Sequence, residues 1–123
     1  MIDASLVTAQ VPRMAKTKTE LADAHGLPEL HPDRIGRRLR IVREALGLKP
    51  SQIADALGIE RTYWSRFENG IRPVTPITAA LLRQRFGVPL GYIILGEWAE
   101  LPHDLATKMR AVEQDIDSQE KPQ

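Results

Sequence analysis

The chain has no cysteine. That excludes disulfide staples, thiolate metal sites, a thiol nucleophile and any cysteine-type zinc finger. Aromatic residues make up only 5% of it, against 42% hydrophobic residues overall, so its core has to be mostly aliphatic. No uninterrupted apolar run approaches the roughly 18–20 residues of a membrane span. No basic stretch followed by an apolar one marks a secretory signal near Met1. These absences lead us to expect a cytoplasmic protein with no membrane partner. With 123 residues it holds one domain plus tails.

The net charge of +1 hides an uneven distribution. Residues 1–33 sum to −2, residues 34–72 to +5, residues 73–95 to +2 and residues 96–123 to −4. A basic middle between acidic flanks suggests an anionic partner, nucleic acid first among them. A basic but merely solvated surface would give the same pattern.

Five short segments each end in glycine: Pro32–Leu46 before Gly47, Pro50–Leu57 before Gly58, Arg61–Asn69 before Gly70, Pro76–Phe86 before Gly87, and Pro89–Leu95 before Gly96. Four of them begin with proline, whose missing N–H has no acceptor to lose in a first helical turn. A glycine just past the last turn supplies a left-handed cap. The apolar spacing agrees: Ile35, Leu39, Val42 and Leu46 form one helical stripe, and Ile53, Ala54 and Leu57 another. No stretch sustains a period of two, so the expected fold is all-α, with no sheet. Thr75 is a good N-cap for the fourth segment. Lys49 is a poor one for the second, where Ser51 was expected to take part of the role.

Residues 1–31 break up into Pro12, Pro28 and a Thr/Lys stretch, and read as a partly disordered arm with one helical piece at Thr19–His25. Residues 32–97 hold the helical domain. In residues 98–123, Leu105, Met109, Val112 and Ile116 step along one face of an amphipathic helix after Pro102, with a frayed end at Gln119–Gln123.

The second and third segments are joined by a short turn containing Gly58, the pattern of a helix-turn-helix. From about Arg34 to Gly96 the chain resembles the lambda-repressor-like, Cro-type helix-turn-helix proteins, also called the XRE family. The residues concerned are Ile35-Gly36-Arg37-Arg38-Leu39-Arg40, the Arg43-Glu44 pair, Ile53-Ala54-Asp55-Ala56-Leu57-Gly58-Ile59, Ser65-Arg66-Phe67-Glu68-Asn69-Gly70, and Phe86 through Gly96. The resemblance implies a five-helix DNA-binding domain whose third helix, 61–69, enters the major groove of double-stranded DNA. It implies a homodimeric transcriptional regulator, commonly a repressor, on a pseudo-palindromic operator.

On that helix Trp64, Phe67 and Glu68 share the core side, and Thr62, Ser65, Arg66 and Asn69 the other. The N-terminal turn of a recognition helix reaches base edges, so Arg61, Thr62, Tyr63 and Arg66 are the candidate base contacts. Arginine can bond guanine O6 and N7 together. Candidate backbone contacts are Ser51, Gln52, Ser65, Asn69, Arg72 and Arg38, with Arg37 and Arg40 adding charge. The resemblance also implies a partly buried ion pair between Arg43 and Glu68. Two residues depart from the family pattern. Pro50 replaces a usual glutamine, and Trp64 stands where a small aliphatic residue is usual.

Candidate dimer contacts are Leu90, Ile93 and Trp98, together with Leu105, Met109 and Val112. The last three could instead fold back on their own domain. A second functional reading is an antitoxin or protein-interaction module of the same fold, with a toxin or another regulator as partner. No cofactor, metal site or enzymatic activity is expected. His25 and His31 lack the spacing of helical metal ligands, His103 reads as a residue near a helix start, and no phosphate loop or nucleophile motif occurs.

Overall fold

The central element is α1, Pro32–Ala45. Its N-terminus is capped by His31, whose Nδ1 accepts the N–H of Asp33 at 3.1 Å, and Pro32 fills the first turn. The structure is a computed structural model that describes residues 26–120. The expected arm of residues 1–31, with Arg13, Lys16, Lys18 and the helical piece Thr19–His25, therefore lies outside the described residues, except for its last six. Of those, Pro28–Leu30 form a 3-10 turn.

Five more helices follow: α2 Pro50–Leu57, α3 Arg61–Glu68, α4 Pro76–Phe86, α5 Leu90–Leu95 and α6 His103–Glu120. The described residues contain no strand, so the fold is all-α. Thr75 caps α4 through its hydroxyl, which accepts from the Thr78 N–H at 3.1 Å. At α2 the expectation for Ser51 is corrected. Gln52 reaches back instead, its Oε1 accepting the Lys49 N–H at 2.8 Å. The longer glutamine side chain spans the turn that serine cannot. Pro89 caps α5 from outside rather than opening it. The last helix runs through Gln119 to Glu120, the first two residues of the expected fray, and residues 121–123 lie outside the described residues.

Helix α1 packs against α3, α5, α6 and the 3-10 turn, while α2 packs against α3 and α4, and α4 against α5. Ile35, Leu39 and Val42 are buried as their stripe predicts, but so is Ile41, which lies off it. A helix with neighbours on several sides buries more than one stripe. The core joins Leu39, Val42, Ile53, Leu57, Trp64, Phe67, Leu82, Val88 and Ile93 to Leu105, Met109 and Ile116 of α6.

The expectation that Ile93, Leu105 and Met109 make dimer contacts is therefore corrected. Ile93 and Met109 are fully buried and Leu105 nearly so. Trp98 and Val112 are half-buried against the same core. Their apolar area is already removed from water within one chain, which leaves little to bury against a second copy. Among the dimer candidates, Leu90 remains exposed.

Candidate nucleic-acid interface

The α2–α3 corner is set by backbone chemistry. Gly58 has φ 70°, a left-handed conformation that a side chain resists. The Gly58 N–H reaches the Asp55 carbonyl at 3.1 Å and the Ile59 N–H the Ala54 carbonyl at 3.0 Å, closing α2. Ala54 is fully buried, which lets α3 approach.

The back of α3 is tied to α1 through charge. Arg43 Nε lies 3.1 and 3.0 Å from the two Glu68 oxygens and its Nη2 2.7 Å from Oε1. Arg43 Nη1 donates to the Leu48 carbonyl at 2.9 Å. Both side chains are nearly buried, 13% and 9% exposed. Trp64 completes the arrangement: its ring is fully buried and its Nε1 donates to Glu68 Oε2 at 2.6 Å. Trp64 departs from the small aliphatic residue usual here, and its N–H supplies a donor that such a residue lacks. The signal for this bond lies in the sequence, since positions 64 and 68 are one turn apart on a helix.

Backbone contact adds to this. A Cβ on Gly36 of α1 would lie 2.5 Å from the Glu68 carbonyl oxygen and 2.8 Å from that of Phe67. Beyond α3, Gly70 is equally confined, a Cβ there falling 2.2 Å from Asp33 Oδ1. The C-terminal end of α3 therefore sits directly on α1.

The outward side of α3 presents Arg61, Thr62, Tyr63 and Ser65 to solvent, with Arg66 half-buried. Arg66 has no ion-pair partner among the described residues. Arg61 is oriented by Asp55 of α2, its Nη2 2.9 Å from Oδ2 and its Nε 3.4 Å from Oδ1. The hydrogen bond from Arg61 holds the Asp55 carboxyl below its ordinary range, and the same bond raises the Arg61 guanidinium. Arg72, just past the helix, lies over the Tyr63 ring at 5.7 Å, a cation–π contact. Asp55 as the partner of Arg61 was not anticipated; the two are six residues apart and meet only because the turn folds α3 back over α2.

Several expected backbone contacts are corrected. Arg38 is 8% exposed and caps α5 instead: its Nε donates to the Ile93 carbonyl at 2.9 Å and its Nη2 to those of Ile94 at 2.9 Å and Glu29 at 2.6 Å. Burial lowers its pKa from the ordinary arginine value, and nearby Glu29 opposes that shift. Arg37 is paired with Asp117 and, at 3.8 Å, with Glu113 of α6. Arg40 is paired with Glu44 at 2.6 Å. The first-helix arginines thus neutralise carboxylates and carbonyls of their own chain. Asn69 is exposed and donates its amide nitrogen to the Ser65 carbonyl at 2.8 Å. At the start of α2, the Gln52 N–H is bonded to the Lys49 carbonyl at 3.0 Å and its side-chain oxygen to the Lys49 N–H, which leaves the Ser51 N–H as that turn's open donor.

Among the described residues, no cluster of His, Cys, Asp and Glu is placed to hold a metal ion, and no helix is long and apolar enough to cross a membrane.

A short α2, a glycine turn and an α3 with a polar outer side define a helix-turn-helix. Residues 34–90 match the family described as a helix-turn-helix domain. Over 71 residues it is 35% identical to the HTH-type transcriptional regulator PrpR of Mycobacterium tuberculosis. That match covers 58% of this chain and 15% of the relative, so the chain spans only a small part of that protein's length. No solved structure matches.

Proposed function

We propose that the protein is a sequence-specific regulator of transcription that binds double-stranded DNA with α3 in the major groove. The observation that carries this reading is the asymmetry of α3. Its inner side is immobilised by Trp64, Phe67 and the Arg43–Glu68 pair, and its outer side presents Arg61, Thr62 and Tyr63 exposed with Arg66 half-buried beside them. A rigid helix with a polar face at its N-terminal end suits base readout. Arg72 and the Ser51 N–H supply phosphate contacts. Similarity to part of a transcriptional regulator supports the same class.

In this reading two copies bind a pseudo-palindromic operator with their α3 helices one turn apart, and binding represses transcription. Leu90 and Leu95, both 43% exposed on α5, supply the apolar part of the dimer contact.

Selection of bound fragments from a random duplex pool tests the proposal. A two-fold symmetric motif is expected. Arg72, the cationic phosphate contact in each of two subunits, predicts a log–log dependence of affinity on salt with a slope of about −2. No enriched motif, or a slope near zero, would remove DNA binding as the function.

A further inference from the structure

Residues of the 3-10 turn, α1, α5 and α6 line a partly open cavity of about 300 Å³. Its walls include Arg37 and Arg38 of α1, Tyr92 of α5, Glu113 of α6, Glu29 and Trp98. Three groups of these walls can donate a further hydrogen bond: the Tyr92 hydroxyl, and the Nη1 groups of Arg37 and Arg38, which are ion-paired at long range with the cavity's own carboxylates. The Tyr92 hydroxyl is buried with no hydrogen-bond partner among the described residues, and the residue is 1% exposed. Arg38 Nη1 is ion-paired with Glu29 Oε1 at 3.5 Å, and Arg37 Nη1 with Glu113 Oε2 at 3.8 Å, distances that leave room for a second acceptor. Buried polar groups in folded proteins are almost always paired, and an unpaired one calls for a missing partner. Here the missing partner is an acceptor.

The geometry points to a binding site for a small organic carboxylate anion in this cavity, its oxygens taking the Arg37 and Arg38 Nη1 groups and the Tyr92 hydroxyl and its hydrocarbon part lying against Trp98. Arginine favours carboxylate because its planar fork matches the two oxygens. The volume lies at the lower end of ligand cavities, which limits the occupant to a small acid. Trp98 and Tyr92 meet edge to face at 5.4 Å and give that end of the cavity an aromatic wall. Burial raises the Tyr92 phenol above its ordinary range, so it stays a donor at neutral pH.

Nothing in the nucleic-acid interface uses this cavity, and the site stands or falls without DNA. A link between the two runs through α1, which lines the cavity with Arg37 and Arg38 and touches the end of α3 with Gly36; that link alone rests on the proposed function.

The test is the melting temperature of the full chain titrated with sodium acetate, sodium lactate and glycine, against sodium chloride at equal ionic strength. A saturable rise with acetate or lactate beyond chloride is expected. Tyr92→Phe and Arg37→Gln should each raise the half-saturating concentration about tenfold, the loss of one hydrogen bond to a charged group, while Arg83→Gln leaves it unchanged. Circular dichroism establishes that each variant is folded. If neither acid exceeds chloride, or if Tyr92→Phe and Arg37→Gln respond as the parent does, the site does not exist. A larger response to glycine than to the acids would overturn the carboxylate assignment in favour of a zwitterion.

Discussion

Trp64 and Glu68 share one hydrogen bond, 2.6 Å from the indole Nε1 to Oε2, and that bond sets the orientation of the carboxylate that Arg43 grips from α1. One carboxylate thus accepts from two helices at once. Glu68→Gln leaves the largely buried Arg43 guanidinium with only Glu44, 4.0 Å away, as counter-charge, and should cost about 3 kcal/mol. Trp64→Phe keeps most of the ring but strands one lone pair, at about 1.5 kcal/mol. Both are read from chemical denaturation. An unchanged midpoint for Glu68→Gln would show that the pair contributes nothing to stability.

Gly36→Ala separates helix propensity from packing. In an exposed helix, glycine to alanine gains about 1 kcal/mol. Here the added methyl falls within 2.8 Å of two backbone carbonyl oxygens of α3, which cannot rotate away as a side chain can. The expected net result is a loss of about 2 kcal/mol, accompanied by weaker DNA binding as α3 shifts. A rise in melting temperature would mean that the α1–α3 approach is looser than drawn.

In the proposed function, Asp55 positions Arg61 and does not itself touch DNA. Asp55→Asn should leave the melting temperature within error, since the pair is solvent-exposed. It should reduce discrimination at the base that Arg61 reads more than it reduces overall affinity. Arg61→Ala should cost about 1–3 kcal/mol at that base pair. The Asp55 pKa is lowered in the folded chain. Its stabilising effect is therefore present above the ordinary carboxylate range and is lost as pH falls through the folded value. Specificity should therefore stay flat from neutral pH down to the ordinary carboxylate range, and equal specificity of parent and Asp55→Asn at neutral pH would end the positioning role.

Arg38→Gln distinguishes a helix cap from a phosphate contact. The guanidinium bonds three carbonyls, two of them at the C-terminal end of α5, where a cation also meets the negative end of the helix dipole. Its replacement should lower stability by about 2 kcal/mol and leave the salt slope of DNA binding unchanged. A slope reduced by about 1 per subunit would return Arg38 to the phosphate.

Met109→Ala tests how α6 is held. The side chain is fully buried against a core shared with α1, so the cavity left behind should cost about 2–4 kcal/mol. The oligomeric state in ultracentrifugation should not change. Dissociation of a dimer by Met109→Ala at full stability would place this residue between two copies instead.

Much of this molecule is determined locally. Pro50, Gly58, the Ile35–Leu39–Val42 stripe and the Thr75 cap act through neighbours within about one turn, and so the helices, their ends and the helix-turn-helix were legible in the order of residues alone. Arg43 and Glu68 were legible as a pair only through resemblance to a family. The tertiary structure decided which charges are spent. Arg37, Arg38 and Arg40 look alike in sequence, yet one faces the carboxylates of α6, one the carbonyls of α5, and one its own helix. The same crossing of helices turned the Leu105–Ile116 stripe inward, set Asp55 against Arg61 and left Tyr92 facing a polar cavity. An amphipathic stripe states that apolar area must leave water, but burial is non-directional, so only the packed arrangement names the surface that covers it.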